Sequence, residues 1–205
     1  MAAYDGVVSR YLNRPLSRPI AGALAHTPVT PNQVTVFTLL LAAAAAAMVA
    51  AGWHIAGGIA IQAVSVVDGV DGDLARRTGR QSRFGGVLDA VTDRYADALM
   101  LGGMAIYAYR FEDWSRPGVV ALLALAGALL VSYSRARIEA SLDAAPSDGL
   151  FGLASRDVRS LVAAVGTVAG QCYWTLIVLA VASWLTVAWR LLYLRLRRVG
   201  MPPAR

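Results

Sequence analysis

Four aspartates, Asp68, Asp71, Asp89 and Asp93, stand in a part of the chain that is otherwise largely apolar. Asp68 and Asp71 are three residues apart and Asp89 and Asp93 four apart, so on helices each pair projects from one face, one turn above the other. Two such helices facing one another bring four carboxylates together. That much negative charge in a low-dielectric setting must take up protons or hold a cation. Hard oxygen ligands at helical spacing suit Mg2+, Mn2+ or Ca2+, and zinc is disfavoured because no His or Cys stands near them. Small residues accompany the acids: Gly72 follows Asp71, Ala75 and Arg76 lie one turn on, and Gly85 lies one turn before Asp89. Positions without bulk admit a ligand or another helix close to the backbone, and an arginine at a helix end reaches a phosphate.

The elements that must carry these residues are membrane spans. Of the 205 residues, 57% are hydrophobic and 16% charged, well beyond the apolar share of an ordinary soluble domain. Runs long enough to cross about 30 Å of hydrocarbon, at roughly 20 residues per helix, occur near residues 34–52, 55–76, 84–108, 118–138, 156–171 and 173–196. The expected fold is an all-α integral membrane protein of six transmembrane helices, the last two separated by a tight turn at Gly170 to Cys172. All 19 basic residues are arginine, and the net charge is +6. Arg10, Arg14 and Arg18 precede the first run, and Arg76, Arg77, Arg80 and Arg83 separate the second from the third. Arg135, Arg137, Arg156 and Arg159 flank the connection from fourth to fifth, and Arg190, Arg195, Arg197 and Arg198 close the last. Only Arg110 and Arg116 fall on the other side. This asymmetry places both termini, and the acidic ends of the second and third spans, in the cytoplasm.

Before the first span, Val8, Leu12, Leu16, Ile20 and Leu24 recur four apart with arginines between them, while Pro15 and Pro19 interrupt an ideal helix. A broken amphipathic segment along the cytoplasmic interface is expected. Thr30 or Asn32 is a candidate cap for the helix that follows. The chain therefore divides into an interfacial segment, 1–33, a six-helix membrane domain, 34–198, and a short tail, 199–205. The N-terminal sequence has no apolar core of the kind a cleaved signal peptide needs, so none is expected. Cys172, the lone cysteine, forms no intrachain disulfide and gives no metal-site spacing. His26 and His54 lie outside the acidic cluster and take no role, and the glycines of "AGGIAI" and "GGMAIY" are expected to pack helices. Arginines dispersed between apolar runs exclude a nucleic-acid binder and point to membrane lipids and phosphorylated substrates as partners.

Together, Asp68-x-x-Asp71-Gly72-x-x-Ala75-Arg76, eight residues, and Gly85-x-x-x-Asp89-x-x-x-Asp93 resemble the full signature of the CDP-alcohol phosphotransferase family, also called CDP-alcohol phosphatidyltransferases, with every specified position and gap matched. The six-span topology and "PNQVT" before the first span agree with it. The resemblance implies a homodimeric membrane enzyme, open to the cytoplasmic leaflet, that moves a phosphoalcohol from a CDP-linked donor to an acceptor hydroxyl and releases CMP. It makes Asp68, Asp71 and Asp89 metal ligands, with Asp93 both at the metal site and acting as general base. Asp68, Gly72, Ala75, Arg76 and Gly85 would line the CDP pocket, and two ions, Mg2+ or Mn2+, would clamp the diphosphate. Asp73 and Asp97 are not specified positions, and Asp97 is expected to support or pack.

For the acceptor, Arg135 and Arg137 in "SYSRARIEA" and Arg156 and Arg159 in "ASRDVRS" are candidates to grip a phosphate. The alternative is that they anchor the cytoplasmic face. "SYSRARIEA" resembles the acceptor-phosphate segment of bacterial phosphatidylinositol-phosphate synthases, with Arg135 in place of the usual lysine. "DGVDGDLAR", "FGGVLDAVTDRYADAL" and "SRDVR" resemble the membrane domain of archaeal and thermophile di-myo-inositol-phosphate phosphate synthases. Both imply inositol phosphate as acceptor, and leave the donor open between CDP-diacylglycerol and CDP-inositol. A competing class is an ion-coupled transporter that uses the intramembrane aspartates. A transporter predicts a midplane site and an internal repeat, whereas the acids crowd one side and the halves of the chain do not resemble each other.

Overall fold

The computed structural model describes residues 8–142 and 155–197, which contain helices and no strand. The expected tail at 199–205, Arg198 and the first seven residues lie outside the described residues. A π-helical turn, Ser9–Asn13, leads into α1 (Arg14–Leu24), followed by α2 (Pro31–Ala50), α3 (His54–Thr78), α4 (Arg83–Phe111), α5 (Pro117–Leu142), α6 (Arg156–Val168) and α7 (Cys172–Arg197).

The expected break in the interfacial segment does not occur. Pro15 sits in the first turn of α1, where its missing N–H is not needed, and Pro19 is carried inside the helix. A wide π turn just before α1 takes up the irregularity. Asn13, Ser17 and Ala21 are buried against the bundle, whereas Leu12, Leu16 and Ile20 face outward. The apolar stripe thus points away from the protein, as an interfacial helix requires.

Helices α2 to α7 overlie the six expected runs. Four of them, α2, α3, α5 and α7, are long and apolar enough to cross a membrane. The other two differ for physical reasons. Helix α4 carries Asp89, Asp93, Arg94 and Asp97 along its first half, and α6, with 13 residues, is about 20 Å long at 1.5 Å per residue. Thr30 is the cap of α2: its backbone N–H donates to Gln33 Oε1 at 2.8 Å and Gln33 N–H donates to Thr30 Oγ1 at 3.4 Å, a reciprocal capping box. Gly170, at φ +66°, makes the turn between α6 and α7, where the sequence predicts one.

Helix α2 packs against both α3 and α4, which barely touch each other; α5 lies on α4 and α7, and α6 on α3 and α7. Small residues set these distances. A Cβ on Gly103 would stand 2.6 Å from the Ala46 carbonyl oxygen, and one on Gly58 would stand 2.8 Å from that of Ala164. The buried interior is accordingly rich in alanine, with Ala42, Ala45, Ala96, Ala108, Ala124 and Ala163 among its residues. Because α2 holds α3 and α4 apart, a gap is left between the helices that carry the four aspartates.

Candidate active site

Asp68 from α3 and Asp89 and Asp93 from α4 each offer a carboxylate oxygen, and these oxygens all lie within 4.8 Å of one another. A cation coordinated at about 2.0–2.6 Å separates its ligand oxygens by up to about 5 Å, so the trio fits a divalent ion. Asp71, the fourth acid of the pattern, stands outside this trio. Its Oδ2 accepts from Thr35 Oγ1 of α2 at 2.5 Å, its Oδ1 from Gly72 N–H at 2.5 Å, and the residue is 8% exposed. Thr35 therefore fixes Asp71 at the edge of the cluster, a contact invisible without knowing that α2 packs on α3.

Arg156, at the start of α6, donates to Asp68 and lies 3.0 Å from Asp93 Oδ1. Arg94 approaches the other oxygen of Asp93 at 3.3 Å. Two guanidiniums, Arg156 and Arg94, do not neutralise the three clustered carboxylates with Asp71 beside them, and the surplus negative charge favours a cation. Arg156, expected as an acceptor residue, is thus also the counter-ion of the acidic cluster. Asp97, one turn beyond Asp93, pairs with Arg159 at 3.2 Å and reaches Arg156 Nε at 4.0 Å.

Two clefts adjoin this cluster, one through Asp71 and Asp89 and the other through Arg94 and Arg156. The first, about 270 Å³, is lined by Asp71, Gly72, Ala75, Arg76, Gly85 and Asp89, together with Asn32 and Thr35 from α2. A Cβ on Gly85 would stand 3.0 Å from Ser82 Oγ and 3.1 Å from Asn32 Oδ1, so a larger residue would crowd these two polar side chains at the cleft. Four of the five residues expected around CDP meet here; Asp68 instead lies in the carboxylate cluster, among neither cleft's lining residues. The second cleft, about 390 Å³, is lined by Arg94, Arg135, Arg156, Arg159, Arg190 and Glu139, among others.

Three of the four candidate acceptor arginines therefore share a cleft, and the fourth does not. Arg137 is exposed and lines neither cleft. Residues two apart on a helix point to roughly opposite sides, so with Arg135 turned inward Arg137 faces away. Arg159 is 8% exposed and tied to Asp97, and Arg135 pairs with Glu139 at 2.9 Å. Two cleft arginines were not singled out by the sequence. Arg190 reads there as one of four arginines closing the last run, yet it is buried and donates to the Val131 carbonyl at 2.6 Å and to Ser134 Oγ at 3.1 Å. Arg94 is hidden by its place next to Asp93. Its buried Nε and the nearby Ser155 Oγ have no hydrogen-bond partner among the described residues, and each is a polar atom available to a ligand.

A helical bundle with four helices long and apolar enough to cross a membrane, and a metal-competent carboxylate cluster beside two clefts, defines the class: a helical membrane protein with an acidic site. The comparisons with known proteins make it specific. The family model described as CDP-alcohol phosphatidyltransferase matches residues 28–196, and the chain belongs to that family. It is 43% identical over 166 residues to the bifunctional IPC transferase and DIPP synthase of Rubrobacter xylanophilus, covering 81% of this chain and 37% of that protein. It is 36% identical over 196 residues to the phosphatidylinositol phosphate synthase of Mycobacteroides abscessus, covering 91% of this chain and 87% of that one. The chain spans only 30–42% of the length of three bifunctional relatives it matches. Among solved structures, the phosphatidylinositol phosphate synthase of Mycobacterium tuberculosis with CDP-DAG bound aligns with a TM-score of 0.73 at 29% identity, over 86% of this chain and 92% of that one. The same enzyme was also solved in complex with manganese and citrate, and aligns at a TM-score of 0.73 and 29% identity over 85% of this chain and 87% of that one. Family membership replaces the transporter reading with that of a transferase.

Proposed function

We propose that the chain is a membrane CDP-alcohol phosphotransferase that moves a phosphoalcohol from a CDP-linked donor to the hydroxyl of a phosphorylated acceptor, inositol phosphate being favoured, and releases CMP. The observation that carries this reading is a carboxylate cluster that opens on one cleft through Asp71 and Asp89 and whose partners Arg94 and Arg156 line the other. The cleft of Gly72, Ala75, Arg76 and Gly85 takes the nucleotide, since its small residues bare the backbone and Arg76 offers a guanidinium to the diphosphate. The arginine cleft takes the acceptor's phosphate, for which planar guanidinium forks are the matching donors. Asp68, Asp89 and Asp93, with Asp71 beside them, would hold the divalent cation, Mg2+ or Mn2+ and two ions in number. When bound, it would neutralise charge on the donor's diphosphate and on the developing oxyanion.

The chain's own residues do the rest. Asp93 accepts the proton of the acceptor hydroxyl. The freed oxygen forms a bond to the donor phosphorus that bears the alcohol, the bond from that phosphorus to the bridging oxygen breaks, and its electron pair leaves with CMP. Arg94 and Arg156 orient the Asp93 carboxylate from two sides, and Thr35 holds Asp71. Arg156 belongs to both halves of the site: it lines the acceptor cleft while bonded to Asp68 and Asp93, so an acceptor phosphate drawn to it arrives beside the base.

In this reading α2 to α7 all sit in the cytoplasmic membrane, α1 lies in the interface, both termini and both clefts face the cytoplasm, and two copies form a homodimer. The arginine distribution supports that orientation. The donor is CDP-diacylglycerol or CDP-inositol, placing the reaction in phospholipid or inositol-phosphodiester synthesis. The test is to incubate purified protein with inositol phosphate, Mg2+ and each donor separately, and to identify the product by mass. A phosphatidylinositol phosphate or a di-inositol phosphodiester identifies the donor; no product from either removes inositol phosphate as acceptor.

A further inference from the structure

Asp73 lies inside the signature without being one of its specified positions, and its side chain is 12% exposed. Its carboxylate is divided between guanidiniums from two elements. Oδ1 accepts from Arg76 Nη2 at 2.7 Å, and Oδ2 accepts from Arg14 Nη1 at 2.8 Å. Ser17 Oγ donates to the same Oδ2 at 3.4 Å. Arg14 and Ser17 belong to α1, and Arg14 also donates to the Gly69 carbonyl, one turn before Asp73, at 3.4 Å. Arg76 lines the first cleft. One carboxylate thus ties the interfacial helix to a side chain that faces into that cleft.

The arrangement is selective about where the Arg76 guanidinium can be. The Arg76 side chain is 47% exposed, and an arginine that exposed is otherwise free to sample many rotamers. A Cβ on Gly72 would stand 3.3 Å from Arg76 Nη1, so the guanidinium lies back over Gly72, which also lines the cleft. Asp73 holds it there by Nη2 and leaves its remaining N–H groups for a ligand. Asp73 in turn is held by Arg14, which is 14% exposed.

We propose that Asp73 is a positioning residue for donor binding, and that α1, through Arg14, keeps Asp73 and hence Arg76 in the geometry that receives the donor's diphosphate. This rests on the reading of the first cleft as the CDP site. The donor's affinity then depends on how α1 is seated against α3, although no residue of α1 lines that cleft.

The experiment is calorimetric titration of the full-length protein in lipid nanodiscs with CDP, the group both candidate donors share, in the presence of Mg2+. Arg76→Ala should weaken CDP binding. Asp73→Asn should weaken it several-fold but less than Arg76→Ala does, because Arg76 keeps its charge and loses only its placement, and Arg14→Ala should weaken it in the same direction from outside the cleft. Asp73→Asn introduced into Arg76→Ala should add less than about twofold, because its effect acts through Arg76. A purely structural role would lower the thermal midpoint and give the same loss with or without Arg76. That additive result overturns the proposal, as does unchanged CDP affinity in Asp73→Asn while Arg76→Ala is weakened, in which case the CDP cleft stands. Unchanged affinity in Arg76→Ala removes Arg76 from the CDP site and the proposal with it. If Asp73→Asn does not fold, Arg14→Ala decides: a weakened Kd supports the coupling and an unchanged one overturns it.

Discussion

Asp93 is where the proposed chemistry converges, since Arg94 approaches one of its oxygens and Arg156 the other. Asp93→Asn keeps the shape and removes the proton acceptor, so it should abolish turnover while donor binding remains measurable; activity near that of the unaltered protein would take the base role from Asp93. The arginines give a sharper contrast. Arg135 lines the second cleft and Arg137 does not. If that cleft grips the acceptor's phosphate, Arg135→Ala loses a hydrogen bond to a charged group worth about 1.5–3 kcal/mol, or roughly one to two orders of magnitude in acceptor KM at about 1.4 kcal/mol per tenfold. Arg137→Ala should leave acceptor KM unchanged. Steady-state kinetics with acceptor varied at saturating donor checks both, and equal effects would contradict the placement.

Helix spacing makes the four aspartates and the small residues around them legible in the sequence, because their periodicity is local: three and four residues within one helix. Arg137 could also have been set aside on that ground, since it stands two residues from Arg135. What local spacing cannot carry is the pairing of helices. Thr35 meets Asp71 only because α2 packs on α3, and Arg190 enters the second cleft only because α7 packs on α5. The prolines misled for a related reason: Pro15 falls in a first turn and Pro19 is tolerated within α1, so the segment stays helical where the sequence predicts a break. The close helix contacts give a prediction at this scale. Gly103→Val places a branched side chain against the Ala46 carbonyl of α2, and overpacking of this kind costs about 1–3 kcal/mol. Thermal unfolding in detergent should show a lowered midpoint, and an unchanged midpoint would mean that α2 and α4 are not this close.

For the whole molecule, the proposed reading of the arginine asymmetry calls for an even number of crossings, with the clefts and both termini on the cytoplasmic side. Reporter fusions at the two ends should both read cytoplasmic. One end outside would move the acidic cluster relative to the membrane and require an odd number of crossings. The account's central claim is that the two clefts serve one metal-dependent transfer, and CMP release tests it most directly. Purified protein given a CDP-linked donor, inositol phosphate and Mg2+ should release CMP only when all three are present, and release should stop in excess chelator and in Asp93→Asn. CMP formation that persists undiminished in chelator, or in Asp93→Asn, would contradict it.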